Sequence, residues 1–134
     1  MIRESLAFLS FSEDIRERTF LDWLETHIST AQPLHRYKGL LKLDRDKISF
    51  YGTERKTGND FRLLIYRHEI LQLYHGFDDV FTALETRNLG LSWKPLRISF
   101  TREKADFHVY LIIDYAFGST TNEAWMETLK TWLD

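Results

Sequence analysis

Five histidines are the residues with the widest choice of chemistry, because a neutral imidazole can bind a metal ion or act as a general base near pH 7. Their positions show none of the HxH, HxxxH or HExxH spacings of zinc sites: His27, His35, His68, His75 and His108. The chain contains no cysteine, which excludes thiolate chemistry and cysteine-bound zinc. We therefore expect no metal and no cofactor.

Two adjacent carboxylates, Asp78 and Asp79, are the next candidates, since a carboxylate pair can do acid-base work or hold a divalent cation. Neighbouring residues of a strand point to opposite faces, however. No third acid follows at the spacing of a calcium loop, and we interpret the pair as a turn or a helix start. The chain also lacks the nucleophile-elbow, P-loop and dinucleotide-binding motifs, so we expect no enzyme.

Positive charge gathers in residues 36–47, which hold five basic and two acidic side chains in a chain of net charge −2. Clustered ammonium and guanidinium groups donate charge-assisted hydrogen bonds to phosphate. The candidate residues for an anionic lipid or phospho-ligand are Lys38, Lys42, Arg45, Lys47 and Arg55. The same residues also fit an ordinary solvated surface. Because the whole chain has no basic excess, we expect no nucleic-acid partner.

Aromatic residues form 15% of the chain, and some of them share one face of a predicted helix. Residues 12–30 and the C-terminal stretch both place apolar side chains at helical spacing. Packing against a sheet is the default for such rings. If either helix face were exposed, it would offer a surface to a protein partner or a second copy; its residues are Phe20, Trp23, Leu24, Trp125 and Trp132.

From Tyr37 onward the apolar residues recur with a period of two, which is typical of strands with one buried face. The pattern predicts a hairpin around residues 44–46, and its longest clean alternation runs from Phe107 to Tyr115. Residues 76–94 fit a helical turn or an edge strand equally well. The sequence thus predicts a helix, six or seven antiparallel strands and a closing helix.

A chain of 134 residues is expected to form one domain. We divide it into an N-terminal helical segment, residues 1–33, and a sheet with a C-terminal helix, residues 36–134. The fold class is α+β, because all the predicted strands lie together between the two helices and do not alternate with helices.

The hairpin Gly39-Leu40-Leu41-Lys42-Leu43 followed by residues 46–51 (DKISFY) resembles the opening of pleckstrin-homology-like domains, especially the GRAM and bacterial branches. Residues 64–73 (LIYRHEILQL) are similar to the third and fourth strands of that group. The resemblance implies a seven-stranded antiparallel β-sandwich or partly open barrel closed by the C-terminal helix, with the N-terminal helix added. It also implies a binding module, whose first hairpin in many members holds phosphoinositide head groups.

Three functions remain open on the sequence. The first is a non-catalytic module that binds a protein partner, and the second is binding of an anionic lipid or peripheral membrane by the basic hairpin. The third is a small-ligand carrier or enzyme whose barrel interior presents His75, Gln72 or Asp114. The first residues carry neither a signal-peptide pattern nor an apolar run of membrane-spanning length, and we expect a cytoplasmic protein.

Overall fold

The computed structural model describes residues 2–16, 35–81, 94–116 and 119–134. Within these ranges, one antiparallel sheet of seven strands is accompanied by two helices and a 3-10 turn. The elements in chain order are β1 (Arg3–Phe11), α1 (Ser12–Arg16), β2 (Tyr37–Leu43), β3 (Lys47–Glu54), β4 (Asp60–Tyr66), the 3-10 turn (Arg67–Glu69), β5 (Ile70–His75), β6 (Leu96–Arg102), β7 (Ala105–Ile113) and α2 (Asn122–Leu133).

The strands follow the order β4-β3-β2-β1-β7-β6-β5. The long strand β1 joins the two halves, since Arg3 to Leu9 pair with β2 and Ala7 to Phe11 pair with β7. The two edge strands, β4 and β5, are connected only by the 3-10 turn. The sheet must therefore curl until its edges meet at that turn, which makes a half-barrel. The expected antiparallel seven-stranded α+β architecture with a C-terminal helix is confirmed at this level.

The strand β1 corrects our interpretation of residues 1–33 as a helical segment, because Arg3–Phe11 lies in the middle of the sheet. Its inward positions include Ala7 and Leu9, but Leu6 and Phe8 on the opposite face are also apolar. Apolar residues on both faces conceal the period of two. The seventh strand is therefore β1. Residues 76–81, part of the stretch for which a helical turn and an edge strand were both open, form neither, and residues 82–93 lie outside the described ranges.

The predicted N-terminal helix over residues 12–30 is described only in its first turn and a half, as α1. Asp14 accepts a hydrogen bond from the Phe11 backbone N–H at 2.8 Å, which satisfies a donor where β1 ends. Residues 17–34 lie outside the described ranges. That part of the helix prediction therefore stays a prediction.

The interior of the half-barrel is filled by inward-facing apolar side chains and by α2, which closes one opening. Trp125 and Leu129 of α2 are fully buried in this core. At the other end of α2, the Trp132 indole N–H donates to the carbonyl oxygens of Asp44 and Arg45 at 2.9 and 3.0 Å. The helix thus connects the β2-β3 turn with β5, β6 and β7, which it also contacts. No helix in the described ranges is both long and apolar enough to cross a bilayer.

A second apolar cluster lies on the outside of β1 and β7. Ile15 of α1 and Phe81 of the segment after β5 pack there on Tyr110 and Ile112. The outer face of β7 is therefore covered, while the outer faces of β2, β3 and β4 carry more exposed side chains. This difference decides where a partner can reach the sheet.

Candidate functional site

The five predicted basic residues do not converge on one pocket. Lys38 and Lys42 project from the outer face of β2, Lys47 from the start of β3, and Arg45 lies in the turn between them. Arg55 follows the far end of β3. Because β3 has eight residues and a strand rises about 3.3 Å per residue, Arg45 and Arg55 are roughly 25 Å apart along the hairpin.

Carboxylates also accompany these cations. The Lys42 ammonium lies 3.8 Å from a Glu4 carboxylate oxygen, and the Lys47 ammonium lies 3.6 Å from Asp46. A phosphate would have to compete with both acids. The geometry favours a solvated basic strip over a head-group pocket, and Lys38, Lys42 and Lys47 are the three members that share one face.

The aromatic face of α2 is not an exposed interface. Trp125 has no exposed surface, Trp132 is 8% exposed, and both indole N–H groups are engaged in hydrogen bonds. Because Trp125 and Trp132 pack against the sheet, a partner cannot reach them, and they are not interface residues. The other three interface candidates, Phe20, Trp23 and Leu24, lie outside the described ranges.

The structure shows a surface that the sequence did not predict, on the outer face of β1 to β4. Leu6, Leu40 and Tyr51 stand directly opposite one another on β1, β2 and β3, and Arg62 continues the line on β4. Leu6 is 68% exposed and Tyr51 is 43% exposed. We call these four residues the outer row.

Cations border the outer row. Lys38 and Lys42 lie two residues before and after Leu40 on β2, so they flank the row on both sides. Arg62 ends it and is exposed. The outer row is thus an apolar strip with an aromatic ring, bordered by the cations Lys38 and Lys42 and by the exposed carboxylates of Glu4 and Asp60 on the same face. The sequence pattern places Leu40 and Tyr51 on strands. Leu6 lies beside them only because β1 pairs with β2, which the sequence pattern does not show.

A polar cluster on the outside of β5 to β7 secures the segment after β5. One Asp78 carboxylate oxygen accepts the backbone N–H groups of Val80 and Phe81, and the other accepts from Arg97 at 2.8 Å and from Tyr110 at 2.7 Å. Burial alone would raise the pKa of Asp78, but these hydrogen bonds outweigh it and lower the pKa. Burial and the Asp78 carboxylate raise the pKa of Tyr110. Through these four hydrogen bonds, Asp78 attaches the segment after β5 to Arg97 of β6 and Tyr110 of β7.

The polar groups expected inside a ligand-binding barrel do not meet. Gln72 accepts a hydrogen bond from Arg97 on the outer face, and Asp114 is exposed and accepts from Thr121. His75 is half-buried, and burial lowers its pKa. His108 contacts the Ser99 hydroxyl at 2.7 Å across β6 and β7. No group of three potential metal ligands occurs in the described part of the chain.

The corner between the sheet edges is closed by a clamp of Arg102 and Glu69. The Arg102 guanidinium donates to both Glu69 carboxylate oxygens, at 2.7 and 2.9 Å, and also to the Leu64 carbonyl of β4. Glu69 in turn accepts the Tyr66 backbone N–H at 2.9 Å. The hydrogen bonds from Arg102, followed by that from Tyr66, lower the pKa of Glu69 despite its partial burial.

The clamp predicts a pH-dependent contribution to stability. Because the folded-state pKa of Glu69 is lowered, this contribution is fully present above the ordinary pKa of glutamate and is lost as the pH falls through the lowered value. We expect Glu69→Gln to lower the unfolding temperature most near neutral pH, with the difference from wild type shrinking under acid. Thermal unfolding from pH 7 to pH 2 measures it, with the exposed Glu127→Gln as control. A difference that does not change with pH would show that the charge of Glu69 is immaterial.

No protein-family model, curated protein or solved structure matches the chain. The part of the chain that the structure describes is an α+β fold in which a curled sheet of seven antiparallel strands is accompanied by a C-terminal helix.

Proposed function

We propose that this chain is a non-catalytic binding module of the pleckstrin-homology-like type that docks a protein partner on the outer row. The observation that carries the proposal is the alignment of Leu6, Leu40 and Tyr51 on three neighbouring strands with two of them strongly exposed. The strand order and the closing helix support the fold assignment. The hairpin that resembles the opening of such domains is, however, formed by the second and third strands, because β1 precedes it, and residues 64–73 fall on β4 and β5 instead of the third and fourth strands.

The chemistry of the outer row indicates the chemistry of the partner. Burying apolar surface stabilises a complex by about 25 cal/mol per Å² before the costs of association are subtracted. Tyrosine and arginine are the residue types that often dominate interface energies. A fitting partner offers an apolar patch to Leu6 and Tyr51 and carboxylates to Lys38 and Arg62, whereas Lys42 already faces Glu4. Because the sheet curls away from this face, the patch on the partner is concave or adaptable.

The proposal is tested with a double variant, Leu6→Ser with Tyr51→Ser, and with Leu71→Ser as the matched control. Leu71 is 56% exposed but lies on β5, away from the outer row. Proteins captured by cross-linking to the wild type are purified, and their affinity is measured by calorimetry. We expect the double variant to bind at least tenfold more weakly and the control to bind within twofold of wild type.

Two results would overturn the proposal. One is that no purified protein binds the wild type saturably; the other is that the double variant binds as well as the control. The same variants are mixed with vesicles of phosphatidylcholine alone and with 30% phosphatidylserine. Saturable binding only to the anionic vesicles, without a protein partner, would favour the membrane hypothesis for the basic strip.

A further inference from the structure

In the part of the chain that the structure describes, the edge of β4 that faces away from β3 has a stretch whose backbone groups make no hydrogen bond. Alternate residues of an antiparallel strand turn their N–H and C=O groups to the same side. The backbone groups of Leu64 and Tyr66 point away from β3. Two hydrogen bonds show this: the Leu64 carbonyl accepts from Arg102, and the Tyr66 N–H donates to Glu69. Asp60 and Arg62 occupy alternate positions of β4 in phase with Leu64 and Tyr66. Their N–H and C=O groups therefore also point to the free edge.

The clamp and the free stretch divide this edge into two parts. Near the 3-10 turn, Arg102 and Glu69 occupy backbone groups of Leu64 and Tyr66, which blocks strand addition there. At Asp60 and Arg62, no hydrogen bond to the backbone and no ion pair of either side chain occurs within the described ranges. Both side chains are exposed. An extended backbone is the partner that such an edge accepts.

The charges of the free stretch are complementary to themselves. If two copies align antiparallel with the two-fold axis beside Phe61, Arg62 of each copy stands opposite Asp60 of the other. Each of these two opposed pairs can exchange two backbone hydrogen bonds, since both residues turn their N–H and C=O groups outward. Opposite charges on directly paired residues stabilise antiparallel strands. A two-fold dimer needs a surface that is complementary to itself, and the pairing of Asp60 with Arg62 meets this condition.

We propose that β4 is a self-association edge, at which two copies join their sheets through Asp60 and Arg62. The clamp ends the pairing at Leu64, so the contact is short and the dimer forms only at high protein concentration. The two-fold axis runs perpendicular to the joined sheet, so the outer rows of both copies face the same side. This edge shares Arg62 with the outer row, but it pairs through the outward backbone groups of β4 and does not use Leu6, Leu40 or Tyr51, so the proposal does not depend on the partner proposed above.

Charge reversal tests the pairing by sedimentation velocity over protein concentrations from 10 to 500 μM. The single variants Asp60→Arg and Arg62→Asp put like charges opposite each other, and we expect dimerisation to weaken at least tenfold. The double variant, Asp60→Arg with Arg62→Asp, restores opposite charges and is expected to dimerise within threefold of wild type. Leu6→Ser with Tyr51→Ser dimerises as wild type, and thermal unfolding verifies that each variant is folded.

A disulfide trap tests the register. The chain has no cysteine of its own, so Asp60→Cys and Arg62→Cys each introduce a single thiol. Residues opposite each other in a hydrogen-bonded pair have Cα atoms about 5.5 Å apart, within the range of a disulfide. We expect a mixture of the two variants to form a disulfide-linked dimer under mild oxidation, with at least fivefold less from either variant alone. The other Arg62–Asp60 pair stays intact in this mixed dimer.

Three results would overturn the inference. The first is a wild type that stays monomeric up to 500 μM. The second is a dimer that the single charge reversals leave unchanged, which would place the contact elsewhere on the molecule. The third is cross-linking of either cysteine variant with itself as readily as in the mixture, which would contradict the register.

Discussion

Replacing Trp125 with alanine is expected to lower the free energy of unfolding by about 3 to 5 kcal/mol, a large part of the roughly 5 to 15 kcal/mol that stabilises a domain. The indole ring is fully buried, its N–H donates to the Ser5 hydroxyl at 3.0 Å, and the Arg3 guanidinium lies 5.4 Å from the ring centre. The contacts of Trp125 hold the start of β1. This part of the strand pairs with β2 only, because the pairing with β7 begins at Ala7. Removing the ring opens a cavity and loosens the central strand.

Urea denaturation followed by far-ultraviolet circular dichroism measures this loss. Trp125→Phe is the matched control, because it keeps most of the ring and loses the hydrogen bond to Ser5, at an expected cost of about 1 to 2 kcal/mol. If alanine costs no more than phenylalanine, α2 does not contribute to the core as its burial indicates.

Gly39→Ala is expected to destabilise the protein by about 3 kcal/mol, at the upper end of the usual cost of overpacking. Gly39 and Gly52 face each other on β2 and β3, and the backbones approach so closely that a Cβ on Gly39 would lie 2.2 Å from the Tyr51 carbonyl oxygen. A backbone atom cannot move aside as the end of a side chain can. The two strands would have to separate at Gly39 and Gly52.

Gly58→Ala provides the comparison, since Gly58 lies in the loop after β3 with a φ of +74° and a Cβ there would meet nothing within 4 Å. Its expected cost is about 1 to 2 kcal/mol and comes from the left-handed backbone alone. Denaturant unfolding of both variants separates the two effects. Equal losses for Gly39→Ala and Gly58→Ala would show that β2 and β3 relax around the new methyl group.

The hairpin of β2 and β3 could be predicted because all of its information is local. Inward residues such as Leu41 and Phe50 alternate with outward ones, and three polar residues form the turn between the strands. The closing helix was predictable for the same reason, since Trp125, Leu129 and Trp132 repeat at helical spacing. Both elements reveal one buried face without reference to the rest of the chain.

The strand β1 could not be predicted in this way, because its two faces are covered by different parts of the molecule. Leu9 is buried inside the half-barrel, and Phe8 on the other face packs against the cluster of Ile15 and Phe81. A strand with two apolar sides has no alternation to detect. Its place beside β7 depends on pairing with residues about a hundred positions away in the chain.

The sequence by itself determined the local elements of this protein: the hairpin, the polar turns, the amphipathic closing helix and the separation of charge along the chain. Only the tertiary structure decided which of these side chains a partner can reach. In the fold, Trp125 is buried, the basic residues are spread along a hairpin, and Leu6 is aligned with Tyr51. Asp60 and Arg62 lie on an edge of the sheet that no other described strand covers. The physical reason is that periodicity depends on a residue's near neighbours, whereas exposure and strand register depend on contacts between distant segments.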